Sequence, residues 1–174
     1  MPESQNKIDA LLEIVRGVYE NLPFNRLLGL RVAHLKPGEA GFEFAMSAEL
    51  IGNAVHGILH GGVISAVLDT TGGLVATASA AERMQGYSRD EITDWIARIG
   101  TIDMRVDYLR PGRGDRFASS GTVMRTGNKV GRNAHGALQF RQCPDSRGDR
   151  GLYRGMIFRC YKPKEGESSV LYCS

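Results

Sequence analysis

Apolar side chains follow a helical spacing near the start of the chain and alternate with polar ones further on. Residues 5–21 carry apolar positions on one face and polar positions opposite, which predicts an amphipathic helix that ends near Pro23. Alternation over 30–35 and 41–46, with turn residues between, predicts a β-hairpin. The mostly apolar run over 63–83, about twenty residues long, is too long for a strand and predicts a buried central helix.

The second half of the chain returns to shorter elements. Residues 88–91 form a capping box that opens a short helix through Trp95. Alternation over 102–108 and the pattern over 117–125 predict two further strands, and 126–129 has the residues of a turn. A helix, a hairpin, a long buried helix and more strands predict an α+β fold, in which an antiparallel sheet wraps around one helix.

The net charge of +3 is unevenly distributed and therefore says little about partners. Residues 1–130 hold 14 Lys/Arg and 15 Asp/Glu, whereas residues 131–174 hold 8 and 4. The basic character belongs to the tail, so no nucleic-acid partner is expected. The pattern also predicts no membrane span and no signal peptide, and the expected location is cytoplasmic.

The tail, residues 131–174, differs from the rest in pattern as well as charge. It is rich in Gly and Arg and shows little alternation. When the possible codons of residues 144–155 are read one nucleotide out of frame, they permit an apolar strand. The next shifted codon, which overlaps the codons of residues 156 and 157, is a stop codon. We hypothesise that the residues after about Val130 are a frameshifted translation, and we expect the chain to lack the final strands of its sheet.

The cysteines of the tail have spacings that fit neither a zinc site nor a disulfide framework, so no metal is expected. They are Cys143, Cys160 and Cys173.

Asp69 lies inside the apolar run, about two turns into the predicted central helix. Burying a lone carboxylate is costly unless it is paired, hydrogen-bonded or protonated. A carboxylate on a core helix is therefore a candidate functional group. The structural alternative is that Asp69 faces outward or is held by Ser65, Thr70 or Thr71.

Two glycine pairs mark the same helix. Gly61-Gly62 falls where the helix begins, and free N–H groups there can stabilise a developing negative charge such as an oxyanion. Gly72-Gly73 lies mid-helix, where each glycine costs ~1 kcal/mol relative to alanine. Close packing, a partner subunit or room for an acyl chain would explain the second pair, and a plain loop-to-helix entry would explain the first.

His60-Gly61-Gly62 followed by Asp69 resembles the signature of PaaI-type hotdog-fold acyl-CoA thioesterases, especially the YigI-like medium- and long-chain group. The similarity includes 100–103 and 106–111. It implies a hotdog fold, with a curved antiparallel sheet wrapped around a long central helix. It also implies a homodimer or dimer of dimers, with active sites at the subunit interface.

The resemblance divides the chain into an N-terminal amphipathic helix (1–24), a hotdog thioesterase domain (25–130) and an atypical tail (131–174). It implies that the enzyme hydrolyses acyl-CoA thioesters. Coenzyme A would be part of the substrate, and no other cofactor is implied.

Residue roles also follow from the resemblance. Asp69 would be the nucleophile or the general base that activates water. The Gly61 N–H would polarise the thioester carbonyl, and His60 would orient that loop. Asn53 would contact the thioester or the water, and Thr101 would place the water beside Asp69 of the opposing subunit.

The substrate-binding positions implied at the helix are the remaining glycines, Gly62, Gly72 and Gly73. Two other functions stay open at this point. One is a hotdog enoyl-thioester hydratase, and the other is a non-catalytic or inactivated acyl-CoA-binding protein.

Overall fold

The computed structural model describes residues 2–126, 134–142, 152–155 and 158–161. The helices are α1 (Pro2–Asn21), α2 (Pro23–Leu27), α3 (Gly61–Ser79) and α4 (Arg89–Ala97). Short 3₁₀ turns cover Ala48–Leu50 and Ala81–Met84. The strands are β1 (Arg31–Lys36), β2 (Glu39–Ala45), β3 (Ile51–Asn53), β4 (Ile58–Leu59), β5 (Gly100–Met104), β6 (Arg116–Thr126), β7 (Ala134–Gln142), β8 (Leu152–Gly155) and β9 (Phe158–Tyr161).

The strands form one large sheet and two small ones. The large sheet has the order β1-β2-β6-β7-β8 and is antiparallel throughout, while β3 pairs with β4 and β5 pairs with β9. The predicted hairpin is confirmed: β1 and β2 pair from Arg31↔Glu43 to Lys36↔Glu39, around Gly38 at φ +75°. A positive φ is readily adopted by glycine, which explains the sharp turn.

The central helix α3 packs its apolar side against the large sheet. Val67, Leu68 and Leu74 of α3 are fully buried, as are Phe42 on β2 and Phe117 on β6. Helix α1 closes the core from outside, because its apolar face, including Val15, is buried in the same cluster. The predicted amphipathic helix and the hotdog arrangement are therefore confirmed.

Helix α3 is long and apolar enough to span a bilayer by composition, and it is the one such helix in the described part of the chain. Its sequence is apolar on most sides because more than half of it, 56%, is buried inside the protein. A helix that is apolar on most sides can be buried either in a protein core or in a membrane, and composition alone does not distinguish the two.

Helix α4 begins as the sequence predicts. The Ser88 hydroxyl accepts a hydrogen bond from the Glu91 N–H, and the Glu91 carboxylate accepts one from the Ser88 N–H. This reciprocal arrangement satisfies two N–H groups at the helix start. These bonds to Ser88, led by the one from its backbone, also hold the pKa of Glu91 below its usual value.

Two expectations about strands are wrong. The strand predicted over 102–108 is β5, which ends at Met104, because its pairing with β9 ends at Met104↔Phe158. The expected loss of the final strands is also contradicted, since β7 pairs with β6 along its length from Phe117↔Gln142 to Thr126↔Ala134. Backbone hydrogen bonds do not require alternating side chains, so pattern alone could not exclude this strand.

The turn predicted at 126–129 lies, after Thr126, outside the described residues, as do Cys143 and Cys173.

Candidate active site

The first turn of α3 is shaped by His60, the residue immediately before it. His60 is the N-cap, and its Nδ1 accepts a hydrogen bond from the Gly62 N–H at 2.9 Å. Gly61 is the first helical residue, so no carbonyl within the helix can accept its N–H. A Cβ on Gly62 would lie 2.9 Å from His60 Nδ1, which explains the second glycine. The helix therefore presents the Gly61 N–H at its positive end.

The ribbon of β3 and β4 supports this turn from the side. The His60 N–H donates to the Leu50 carbonyl at 2.8 Å. A Cβ on Gly52 would lie only 2.6 Å from His60 Cα, so the two backbones can approach each other only because residue 52 is glycine. Sequence reasoning missed Gly52, because a lone glycine in a short strand carries no specific signal.

Asn53 lies at the end of β3, with an exposed side chain. Its Oδ1 accepts a hydrogen bond from the His56 N–H at 3.2 Å, as in the side-chain turns that Asn often forms. Asn53 is therefore on the same ribbon as His60, but its present bond is local to the loop.

Tyr108 is a further residue at the helix start that sequence reasoning did not assign to the site. Its hydroxyl donates to the Gly61 carbonyl at 3.2 Å and is hydrogen-bonded to Ser65 Oγ. The ring also lies in van der Waals contact with the position that a Gly61 Cβ would occupy, at 3.4 Å. Tyr108 therefore fixes the first turn of α3 while remaining half exposed. Position 108 lies 47 residues after position 61 in the chain, so only the fold reveals the contact.

Asp69 lies two turns along α3, half-buried, and its carboxylate faces β5. Thr101 Oγ1 donates a hydrogen bond to Asp69 Oδ1 at 2.5 Å. The expectation that Thr101 would lie beside Asp69 of the opposing subunit is thus corrected, because both residues belong to the same chain. The strand that follows α4 passes along the helix and brings residue 101 next to residue 69.

The neighbouring hydroxyls considered as structural partners of Asp69 are engaged elsewhere. Thr70 Oγ1 donates to Asn25 at 3.4 Å, and Thr71 Oγ1 donates to the Val67 carbonyl at 2.6 Å. Ser65 Oγ donates to the Gly61 carbonyl at 3.3 Å. Thr101 is therefore the neighbour that orients the carboxylate.

The mid-helix glycines have different surroundings. A Cβ on Gly73 would lie 3.2 Å from the Tyr19 hydroxyl, which is hydrogen-bonded to Thr77 Oγ1 at 2.9 Å. Close packing of α1 on α3 accounts for this glycine. Gly72 is buried on α3, and its assignment to substrate binding stays a prediction, as does that of Gly73.

A cleft of about 610 Å³ opens beside the start of α3. Its walls are mainly apolar and come from α2, from the turn before β3 and from the first turns of α3. The lining residues that matter below are Phe24, Leu27, Leu28, Ile51, Val63 and Ala66.

The charged groups in the described part of the chain do not form a metal centre. No group of three or more His, Cys, Asp or Glu lies close enough together there to hold an ion. At the rim of the cleft, a hydrogen bond from the Ser47 side chain lowers the pKa of Glu49.

The sheet wrapped around α3 defines a hotdog-fold protein, with a carboxylate on that helix and, at its start, an N–H that has no acceptor within the helix. Residues 56–132 match the Thioesterase superfamily. The Medium/long-chain acyl-CoA thioesterase YigI of Salmonella typhimurium is 46% identical over 110 residues, which are 63% of this chain and 71% of that protein. The Escherichia coli K12 protein of the same name is 44% identical with the same coverage.

Solved structures agree with this relationship. A Shewanella oneidensis protein related to the thioesterase superfamily has a TM-score of 0.74 and 34% identity, covering 90% of this chain and 97% of that one. A putative thioesterase from Syntrophus aciditrophicus has a TM-score of 0.71 and 32% identity, covering 89% and 97%. The chain belongs to the thioesterase superfamily. The prediction of a thioester hydrolase is confirmed as to the class of enzyme.

Proposed function

We propose that the protein hydrolyses acyl-CoA thioesters of medium or long chain length to the free acid and coenzyme A. The observation that carries the proposal is the hydrogen bond from Thr101 on β5 to Asp69 on α3. The same helix begins at Gly61 and has His60 as its N-cap. The names of the relatives at 44–46% identity support the substrate class. The reaction needs no cofactor besides the coenzyme A of the substrate.

The chemistry assigns one task to the start of α3 and another to Asp69, two turns along the helix. The Gly61 N–H donates a hydrogen bond to the thioester carbonyl oxygen as negative charge develops on it, where preorganised donors are most effective. Asp69 either takes a proton from water as the water attacks the carbonyl carbon, or attacks that carbon itself. In both routes the carbon–sulfur bond breaks and the coenzyme A thiolate leaves. In the water route, the proton that Asp69 has taken passes to the thiolate. In the direct route, an anhydride forms between the acyl group and Asp69, and water hydrolyses it to the free acid and restores the carboxylate. Thr101 holds the carboxylate in a defined orientation.

Gly61 and Asp69 lie too far apart to act on one thioester within one chain. Gly61 and Asp69 are eight residues apart on a helix that rises 1.5 Å per residue, so their backbones are separated by ~12 Å. Reacting groups must approach to about 3–3.5 Å. This separation supports an active site shared by two copies, in which Asp69 and Thr101 of one copy face the His60–Gly61 turn and Asn53 of the other.

The edge of β5 is a suitable place for the second copy to pair. In the described part of the chain β5 pairs with β9 alone, and residues 105–109 follow it without a strand partner. An unpaired strand edge is a template for another chain. We therefore propose a homodimer, alone or within a dimer of dimers, in the cytoplasm.

The test of the hydrolysis is thiol release from acyl-CoAs of several chain lengths by the wild type and by Asp69→Asn. The wild type should release free thiol, and Asp69→Asn should be slower by about 10²–10⁴-fold, while its helix content and oligomeric state stay unchanged. Hydration of an enoyl thioester would leave the thioester intact. Binding without turnover would identify a non-catalytic acyl-CoA-binding protein.

The shared site has a separate test. Two inactive variants, Asp69→Asn and Gly61→Pro, are mixed as unfolded chains and refolded together. Random pairing of shared sites should restore roughly a quarter of the wild-type rate, because half of the dimers are mixed and each holds one intact site. No recovery from correctly refolded mixed dimers would argue for a site within one chain.

A further inference from the structure

We infer that the cleft between α2 and the first turns of α3 binds the acyl chain of the substrate, and that α2 sets the preferred chain length. The inference rests on the proposed function, since it names where one part of that substrate lies. It concerns an apolar chain of methylene groups attached to the thioester carbonyl.

Helix α2 is oriented with its apolar side outward. Leu27 is 76% exposed and Phe24 is 51% exposed, whereas Asn25 is only 2% exposed. Soluble proteins normally have the reverse pattern, and a contiguous apolar surface commonly marks a binding site.

Asn25 explains how this orientation is maintained. Its Nδ2 donates to the Tyr19 carbonyl at 2.8 Å, and its Oδ1 accepts a hydrogen bond from Thr70 Oγ1 at 3.4 Å. The buried amide therefore anchors α2 to α1 on one side and to α3 on the other. Turning Phe24 and Leu27 inward would break these two bonds. The buried amide of Asn25 would then lack hydrogen-bond partners, which is energetically costly.

The cleft lies beside the proposed oxyanion donor. His60 and Gly62 form part of its wall, on either side of the Gly61 N–H, and Val63 and Ala66 continue the wall along α3. If the substrate carbonyl accepts a hydrogen bond from the Gly61 N–H, the attached acyl chain can therefore extend into the cleft. The volume of about 610 Å³ is within the usual range for small-molecule sites.

The charge of the cleft favours the acyl end of the substrate over the nucleotide end. The described lining residues include no Lys or Arg, and the acid among them is Glu49. A carboxylate at the rim repels the phosphates of coenzyme A but does not affect methylene groups. The nucleotide is thus expected on the other side of the α3 N-terminus.

The test uses S-alkyl-CoA thioethers, which bind without being hydrolysed, with butyl, octyl, dodecyl and hexadecyl chains. Calorimetry gives the dissociation constant of each for the wild type, Leu27→Gln and Ala66→Phe. Leu22→Gln is the matched control, because Leu22 lies at the start of the same helix, is 36% exposed and does not line the cleft. Leu27 is so exposed that its replacement leaves the core intact.

For the wild type, affinity should rise with chain length by up to about fourfold per buried methylene. Leu27→Gln should flatten this rise for the dodecyl and hexadecyl probes and leave the butyl probe within about twofold. With Ala66→Phe, affinity should stop rising at a shorter chain length than with the wild type. Leu22→Gln should behave like the wild type.

An unchanged rise in both cleft variants would overturn the inference. A drop in oligomeric state for Leu27→Gln, with equal effects on all four probes, would also overturn it, because a second copy would then cover the cleft. Thiol release from the matching acyl-CoAs is measured in parallel. Length-dependent binding without thiol release from the wild type would reject the proposed hydrolysis and retain the acyl-chain cleft.

Discussion

The Thr101 hydroxyl donates a hydrogen bond to Asp69 Oδ1 at 2.5 Å, although the two residues are 32 positions apart along the chain. The bond joins the strand β5 to the central helix and leaves the carboxylate half-buried. This hydrogen bond orients the side chain of Asp69 towards β5. The same bond holds the strand edge that we propose for pairing with a second copy, so the orientation of the carboxylate and the position of that edge depend on each other.

Removing the hydroxyl at position 101 should reduce the rate without unfolding the protein. Thr101→Val keeps the shape of the side chain but cannot donate to Asp69. We expect kcat to fall by roughly 10-fold, which corresponds to the loss of one hydrogen bond to a charged group. Steady-state thiol release measures the change.

Thr101→Ser is the matched control, because it retains the donor and should keep most of the activity. A Thr101→Val enzyme as active as the wild type would mean that the orientation of Asp69 does not depend on Thr101. Circular dichroism of all three proteins separates an effect on chemistry from an effect on folding.

Replacing Gly61 with proline should remove the proposed oxyanion donor while keeping the helix. Proline lacks an N–H and is favoured at the first helical position, where no helical bond is lost. The preceding residue, His60, has φ −65° and ψ +133°, a conformation that a following proline accepts. Loss of one such donor lowers kcat by about 10²–10³-fold.

Gly61→Ala provides the comparison for Gly61→Pro, since it retains the N–H. Its Cβ would meet the Tyr108 ring at 3.4 Å, an ordinary contact, so the first turn of α3 should remain in place. Equal losses in both variants would point to a steric effect at this position instead of the missing donor.

The sequence predicts the scaffold of the site better than its contacts. The hairpin, the central helix, the capping box at Ser88 and the position of Asp69 all follow from periodicity and local chemistry, which act over a few residues. The predicted beginning of the helix at Gly61-Gly62 is confirmed, whereas the cap from the His60 side chain that fixes this start could not be predicted from apolar periodicity.

The remaining contacts depend on long-range approach. Tyr108 reaches Gly61 across 47 residues, and Gly52 allows the close passage of His60. The outward apolar face of α2 is also invisible in the sequence, because Phe24 and Leu27 read as ordinary core residues until the burial of Asn25 is known. The shared site likewise needs the helix geometry that separates Gly61 from Asp69.

Two helical glycines should respond to alanine in opposite ways. A Cβ on Gly17 in α1 meets nothing within 4 Å, so Gly17→Ala should raise the free energy of unfolding by about 0.5–1 kcal/mol through helix propensity alone. A Cβ on Gly73 in α3 would lie 3.2 Å from the buried Tyr19 hydroxyl. Gly73→Ala should therefore be destabilising, since overpacking costs ~1–3 kcal/mol and exceeds the propensity gain.

Urea denaturation measures both changes, and Tyr19→Phe shows whether the contact is responsible. Without the hydroxyl, Gly73→Ala should lose most of its penalty. A Gly73→Ala protein more stable than the wild type would mean that Tyr19 moves aside at no cost and that the glycine is not explained by this packing.

Hydrogen exchange of β7 should decide whether the unusual tail completes the sheet. In the structure Ala134–Gln142 pairs with β6 over its whole length, although these residues lie in the segment that we hypothesise to be frameshifted. The pairing with β6 runs along the whole of β7, and β8 pairs with residues 138–141 on the other edge. Amides bonded within a sheet exchange slowly, because their bonds open in larger unfolding events. We therefore expect protection of 134–142 close to that of Arg116–Thr126. Fast exchange of 134–142 beside a protected β6 would mean that this amino-acid sequence does not hold the strand in solution, and resequencing the gene over these codons would then be expected to reveal the shifted frame.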